Sequence, residues 1–180
     1  MKKIELNIDE EIKEFNLPEK WEEVSVGKAQ KLYAVTETNP ILKIIEIVSI
    51  LTDIDVDTLM LMDQSEFMRL SEQIQFTSTE VKGELKDSVM VDNVEYFLKK
   101  DFETLTLGEV ISIDTIMEQC DNDLSKAMTK LLCVFLKRKK ENGKLEAFHN
   151  DHMDREKEFS NIPITDINDI FFFFSGGENL

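Results

Sequence analysis

Few positions in this chain have the residue types and spacing of known site chemistry. Asp53-x-Asp55-x-Asp57 has the oxygen spacing with which a calcium loop begins. Its sixth position is Thr58, where such a loop needs glycine for a sharp turn, and its twelfth is Gln64, where a bidentate glutamate belongs. A solvated acidic turn is the better reading. His149, His152 and Glu156 fall at i, i+3 and i+7, which on a helix is one face, and a metal ion could bridge them. His152 also shares its side with Phe148 and Phe159, which favours a partly buried packing histidine. Cys133 stands beside an apolar helical stripe and reads as a small buried hydrophobe, not a nucleophile. There is no GxSxG, Walker loop or GxGxxG, and acidic pairs such as Glu22-Glu23 occur in any acidic chain. The expectation is a protein that is not an enzyme and has no metal or cofactor.

What remains is binding chemistry. Met60, Met62 and Met68 gather near a turn, and thioethers are suited to gripping varied apolar partners, although they also fill cores. Phe171, Phe172, Phe173 and Phe174 follow one another directly. On a helix four successive rings point to all sides, so one or more is expected at the surface as an aromatic patch of the kind enriched at interfaces. The candidate partner-binding residues are therefore Phe171, Phe172, Phe173, Phe174, Met60 and Met62.

The elements that must position them read as a helix-rich α+β domain spanning 1–180, with a small antiparallel sheet. Ile4, Leu6 and Ile8 alternate as in a half-buried strand. Ser25 caps a helix through Ala29, Leu32 and Tyr33 to about Val35, and Asn39-Pro40 opens another, rich in Ile, Leu and Val to Leu51. Its polar residues Lys43, Glu46 and Ser49 form one narrow stripe, which makes it the expected core element. Thr58–Met62 is a short helical piece, and Asp63-x-x-Glu66 is a capping box before a helix ending near Phe76. Alternating residues on both sides of Asp92-Asn93 predict a β-hairpin near 88–98.

Thr106-x-x-Glu109 is a second capping box, opening a helix with Val110, Ile111, Ile113 and Met117. Leu124, Ala127, Met128, Leu131, Leu132 and Phe135 mark the clearest amphipathic helix, with Lys137–Lys140 complementing its dipole. A weaker helix is expected over 146–159. A last one, over 165–174 and capped by Thr165, carries Ile167, Ile170 and the Phe run as a possible partner-binding appendage. Trp21-Glu22-Glu23-Val24-Ser25-Val26-Gly27 also aligns without gaps on Phe102-Glu103-Thr104-Leu105-Thr106-Leu107-Gly108. Two copies fit two independent uses of one helix-opening motif better than a duplicated half, because repeat folds need about three units or more.

Composition narrows the partners. Among 180 residues, 21 are basic and 37 acidic, a net charge of -16, which argues against nucleic acid or an anionic membrane surface. Twelve Phe and abundant aliphatics are enough for a real core. Two cysteines without a CxxC pair fit a reducing cytoplasm, no secretion signal is visible, and no apolar run approaches the ~20 residues of a membrane span.

Leu17-Pro18-x-x-Trp21-x-Glu23-Val24-Ser25-Val26-Gly27-x-x-Gln30-x-Leu32 resembles the opening of small, tail assembly chaperone-like morphogenesis proteins of tailed bacteriophages. The similarity runs on through the Ile-rich helix, the segment Asp63 to Phe67, the hairpin, Phe102 to Gly108, and Ile162-Pro163-Ile164-Thr165 with the Phe run. The resemblance implies a non-enzymatic chaperone, a possible homo-oligomer, in the cytoplasm of an infected bacterial host. Its client would be an apolar helical protein such as the tail tape-measure protein. The other reading is a structural or packaged virion component near portal, tail or capsid, with the Phe helix inserted into a neighbour.

Overall fold

The computed structural model describes all residues except 9, 10, 84, 85, 169 and 171–180, and the side chains of Ile8 and Phe102 are also outside the description. Among the described residues the fold is α+β, seven α-helices with a two-stranded and a three-stranded antiparallel sheet. Alternation at the amino-terminal end gives β1 (Lys2–Ile8). It pairs with a strand the pattern did not predict, β2 (Glu11–Leu17), in a register that sets Ile4 opposite Phe15 and Leu6 opposite Lys13. Ile4, Leu6 and Leu17 are buried, whereas Ile12 shares the solvent face with Asn7.

Of the predicted caps, those at Ser25, Asn39 and Thr106 form. Ser25 accepts the Lys28 amide at the start of α1 (Val26–Tyr33). Asn39 accepts the amides of Ile41 and Leu42 at the start of α2 (Pro40–Thr52). Asp55 opens the short α3 (Val56–Leu59). Before α4 (Gln64–Gln73) the expected capping box does not form: Asp63 makes no side-chain cap bond, and Glu66 instead pairs with Arg69 at 2.5 Å. The hairpin is β3 (Ser88–Val91) and β4 (Val94–Leu98). Asp92 and Asn93 both take positive φ, as the tight turn that matches strand twist demands.

After the capping box at Thr106 comes α5 (Leu107–Gln119). It ends with Asp121 and Asn122 in left-handed conformation, and the Asn122 and Asp121 amides donate to the carbonyls of Met117 and Glu118. That is the bonding pattern usually closed by glycine, made here by Asp-Asn. The chain then enters α6 (Leu124–Phe135), capped by Asp123.

The core element is α6, not α2 as expected. Every α6 residue except Lys126 and Lys130 is buried, and α1, α5 and α7 (Glu156–Phe159) pack around it. In α2 only Ile45, Val48 and Leu51 are buried, and Ile41 and Leu42 are exposed at its first turn. The narrow polar stripe of α2 therefore does not mark an enclosed helix, since aliphatic side chains of its first turn are themselves exposed. A second correction concerns the basic run. The helix stops at Phe135, and Leu136–Lys137 form β5, which pairs with β4 through Phe97 opposite Lys137 and Leu98 opposite Leu136.

The helix expected over 146–159 is instead a six-residue turn of 3-10 helix, Asn150–Arg155, followed by the four residues of α7. Thr165 lies within another 3-10 turn, Ile164–Asp166; of the helix expected over 165–174, Asn168 and Ile170 are helical, and 169 and 171–174 lie outside the described residues. Ile164, Ile167 and Ile170 are buried in the core. Two backbone bridges tie this segment to the start of α1: the Ile164 amide donates to Val24, and the Val26 amide donates to Ile162.

Candidate protein-binding face

The hydroxyl of Thr106 caps α5 by accepting the Glu109 amide, and Glu109 returns a carboxylate oxygen to the Thr106 amide at 2.8 Å. That carboxylate is buried with two lysines. Lys99 Nζ donates to Oε2 at 2.6 Å, and the fully buried Lys137 Nζ lies 3.2 Å from Oε1, near enough to pair but without hydrogen-bond alignment. Lys137 also sits 4.5 Å from the centre of the Phe148 ring. Burial alone would raise the Glu109 carboxyl, but donation from Lys99 and the Thr106 amide and pairing with Lys137 outweigh it and hold it down at about 2. Burial lowers the Lys137 ammonium, and Glu109 opposes that shift. The cluster therefore fixes the rotation of α5: the Glu109 side, together with Ile116 and Cys120, must face inward.

With that side turned in, the opposite side is left to solvent. Leu107, Val110 and Ile111 are 75%, 39% and 54% exposed. They occupy i, i+3 and i+4, so they form one apolar row over the first turns. Asp114 and Glu118, both exposed, continue that row toward the other end of the helix. A helix that keeps three adjacent large aliphatics in water, on a chain of charge -16, has the makings of a protein-binding face.

The sequence-predicted residues are placed elsewhere. Met60 is 53% exposed at the end of α3, with Leu61 and, on α4, Met68 also exposed. Met62 is half-buried and packs against the core, so of the two methionines Met60 is the one with most of its surface in solvent. Phe171, Phe172, Phe173 and Phe174 lie outside the described residues. Val110 and Ile111 were recognised only as apolar helix positions. The signal that could have singled them out is that Leu107, Val110 and Ile111, at i, i+3 and i+4, make an apolar row offset from Ile116 and Cys120, leaving more apolar surface than one packing face takes up.

The other candidates are held by structural roles. Asp53 ends α2 in left-handed conformation and pairs with Lys28 at 2.7 Å, and Asp55 accepts the amide and hydroxyl of Thr58. The acidic triplet is thus a turn and a helix start. Glu156 accepts the Thr129 hydroxyl on α6 at 2.8 Å and so is engaged away from the histidines. Among the described residues no group of three His, Cys, Asp or Glu side chains is placed to hold a metal ion. His152 is buried against Phe148, with Nε2 3.8 Å from Glu146, and burial and then Arg155 lower its pKa. Glu146 is itself held by Arg155 at 2.5 Å and by the Arg138 amide. Cys133 is buried in α6, where burial pushes the thiol up to about 12. No helix among the described residues is long and apolar enough to cross a membrane. Compared with models of known protein families, with curated proteins and with solved structures, the chain matches none.

Proposed function

We propose that this chain is a non-enzymatic morphogenesis protein of a tailed bacteriophage, a tail assembly chaperone that holds an apolar helical client in the host cytoplasm until the tail is built. The observation that carries the reading is the solvent-facing row Leu107, Val110 and Ile111 on a helix locked in rotation, within a chain of net charge -16. The row supplies an apolar contact for a helix laid against it, and the charge keeps the complex dispersed. A long tape-measure protein, apolar and helical before tail-tube subunits surround it, is the client whose chemistry fits. The resemblance of the Trp21–Gly27 region and of the segments after it to such chaperones supports the same reading.

Co-expression with the tape-measure protein of the same genome is the test. The expected result is a larger soluble fraction of the tape measure and its co-purification with this chain. No gain in solubility together with no co-purification would remove the proposal. Recovery of the chain from purified mature particles by mass spectrometry would turn the reading toward a packaged virion component.

A further inference from the structure

The row on α5 is not uniform along its length, and its change of character specifies an occupant. Leu107, Val110 and Ile111 cover the first turns, and the same line of the helix then carries Asp114 and Glu118. We infer that this face takes a single amphipathic helix of a partner protein, of about three turns, aliphatic over two of them and bearing lysine or arginine on the third. The inference rests on the chaperone reading and names the site and the feature of the client it recognises.

Charge complementarity decides between occupants. A second copy of α5 laid parallel would set Asp114 and Glu118 against Asp114 and Glu118, and like charges brought together in an interface are costly. Laid antiparallel, it would press the acidic end of each helix onto the apolar end of the other, desolvating carboxylates with no partner. A helix running from aliphatic to basic satisfies both ends of the row.

The face is also unable to withdraw. Rotating α5 to hide Leu107 and Ile111 would pull Glu109 away from the fully buried Lys137 and the partly buried Lys99 and leave the Lys137 ammonium without its counter-charge. Both ends of the helix are fixed as well, by the capping box at Thr106 and by the Asp121-Asn122 turn. The site is therefore preformed, and little ordering is needed when a partner docks.

The probe is a fluorescein-labelled helical peptide with Leu at i, i+3 and i+4 over its first two turns and two Lys on the third, titrated against the full chain by fluorescence anisotropy. The expected result is binding that weakens by at least about tenfold in the Leu107→Asp/Ile111→Asp double variant. In Asp114→Lys/Glu118→Lys, preference should pass from the Lys peptide to one with Glu in place of Lys. All four positions are exposed, and unchanged circular dichroism confirms that the variants fold.

Equal binding by the double variant, or no change of preference on charge reversal, overturns the inference. So does self-association by sedimentation that the double variant abolishes, which would make a second copy the occupant. Stronger peptide binding by a chain ending at Ile170 would overturn it too, making residues 171–180 the occupant. Failure here is separable from failure of the chaperone reading. If wild type and double variant solubilise the tape measure equally, only the α5 site falls; if neither does so while the peptide still binds wild type selectively, only the chaperone reading falls.

Discussion

The two copies of the helix-opening motif share a backbone and use opposite faces. Trp21–Glu23 and Phe102–Thr104 are both single 3-10 turns, followed by a hydroxyl cap, Ser25 or Thr106, and by a helix with glycine at its second position. In the first copy the row after the cap turns inward. Val26 and Ala29 are fully buried, and the Gln30 side-chain Oε1 accepts the Thr129 amide of α6. The first free amides of α1 are spent on the chain's far end: Val26 donates to Ile162 and Gly27 to Ser160.

In the second copy the equivalents of Val26, Ala29 and Gln30 are Leu107, Val110 and Ile111, all in solvent. The difference lies at the third helical position. Lys28 there reaches the surface, to the Leu51 carbonyl and Asp53, while Glu109 goes inside to two lysines. After the same opening, the residue at the third position goes with the choice of which side of the helix becomes core and which is left to solvent.

The largest effect expected from testing this comparison is at that third position. Glu109→Ala leaves Lys99 and Lys137 without their counter-charge and should destabilise the chain by roughly 3–5 kcal/mol in urea unfolding. Lys28→Ala, which breaks a pair whose acid is 71% exposed, should cost only about 0–1 kcal/mol. Comparable losses from the two would dissolve the contrast.

Acid should expose the same asymmetry. A carboxyl held at about 2 when folded, against 4.5 ordinarily, contributes its full stability above about pH 4.5 and loses it as pH falls through about 2. That is roughly 3 kcal/mol across the window, at about 1.4 kcal/mol per unit. In Glu109→Gln this part of the stability profile should flatten; an unchanged acid limb would show that other carboxylates carry it.

Truncating equivalent residues sharpens the comparison further. Val26→Ala should cost about 2 kcal/mol as a buried cavity, and Leu107→Ala should stay within about 0.5 kcal/mol as a surface change.

The glycines should differ even in sign. A Cβ on Gly27 would lie 3.0 Å from Ser160 Cβ and 3.2 Å from Ser160 O, the same carbonyl that accepts the Gly27 amide and so cannot move away freely. Gly27→Ala should lose about 1 kcal/mol by crowding. Gly108 has nothing nearer than 4.0 Å, so Gly108→Ala should gain a few tenths up to about 1 kcal/mol from helix propensity. Thermal melts of the two variants shifting in the same direction would contradict the account.

What could be read in advance was mostly local. Caps at Ser25, Asn39 and Thr106 and the Asp92-Asn93 turn follow from side chains bonding their own neighbourhood, and the α+β class follows from the periods between them. Tertiary choices were hidden. The strand β2 offered little alternation because Glu11 and Lys13, opposite Ile8 and Leu6, are polar on the side that carries Phe15 and Leu17. Lys137 read as one of four solvated lysines and arginines, since nothing nearby reveals a carboxylate 28 positions upstream waiting in the core. The methionine reading separated for the same reason: Met60 and Met62 differ by two positions, and one reaches solvent while the other meets the core. The outward row on α5 is visible as composition but not as direction, because the burial of Glu109 is what says which of its apolar faces is left out.

The bridges from Val24 and Val26 to Ile164 and Ile162 also have a consequence in time. Their partners are separated by well over a hundred residues, so these leading amides of α1 stay hydrated until the segment 160–164 is in place. Loops of that length close slowly relative to local helices, so completion of α1 belongs late in folding. During synthesis, the residues of α1 leave the ribosome before Ser160 and Ile162, which accept their first amides, have been made.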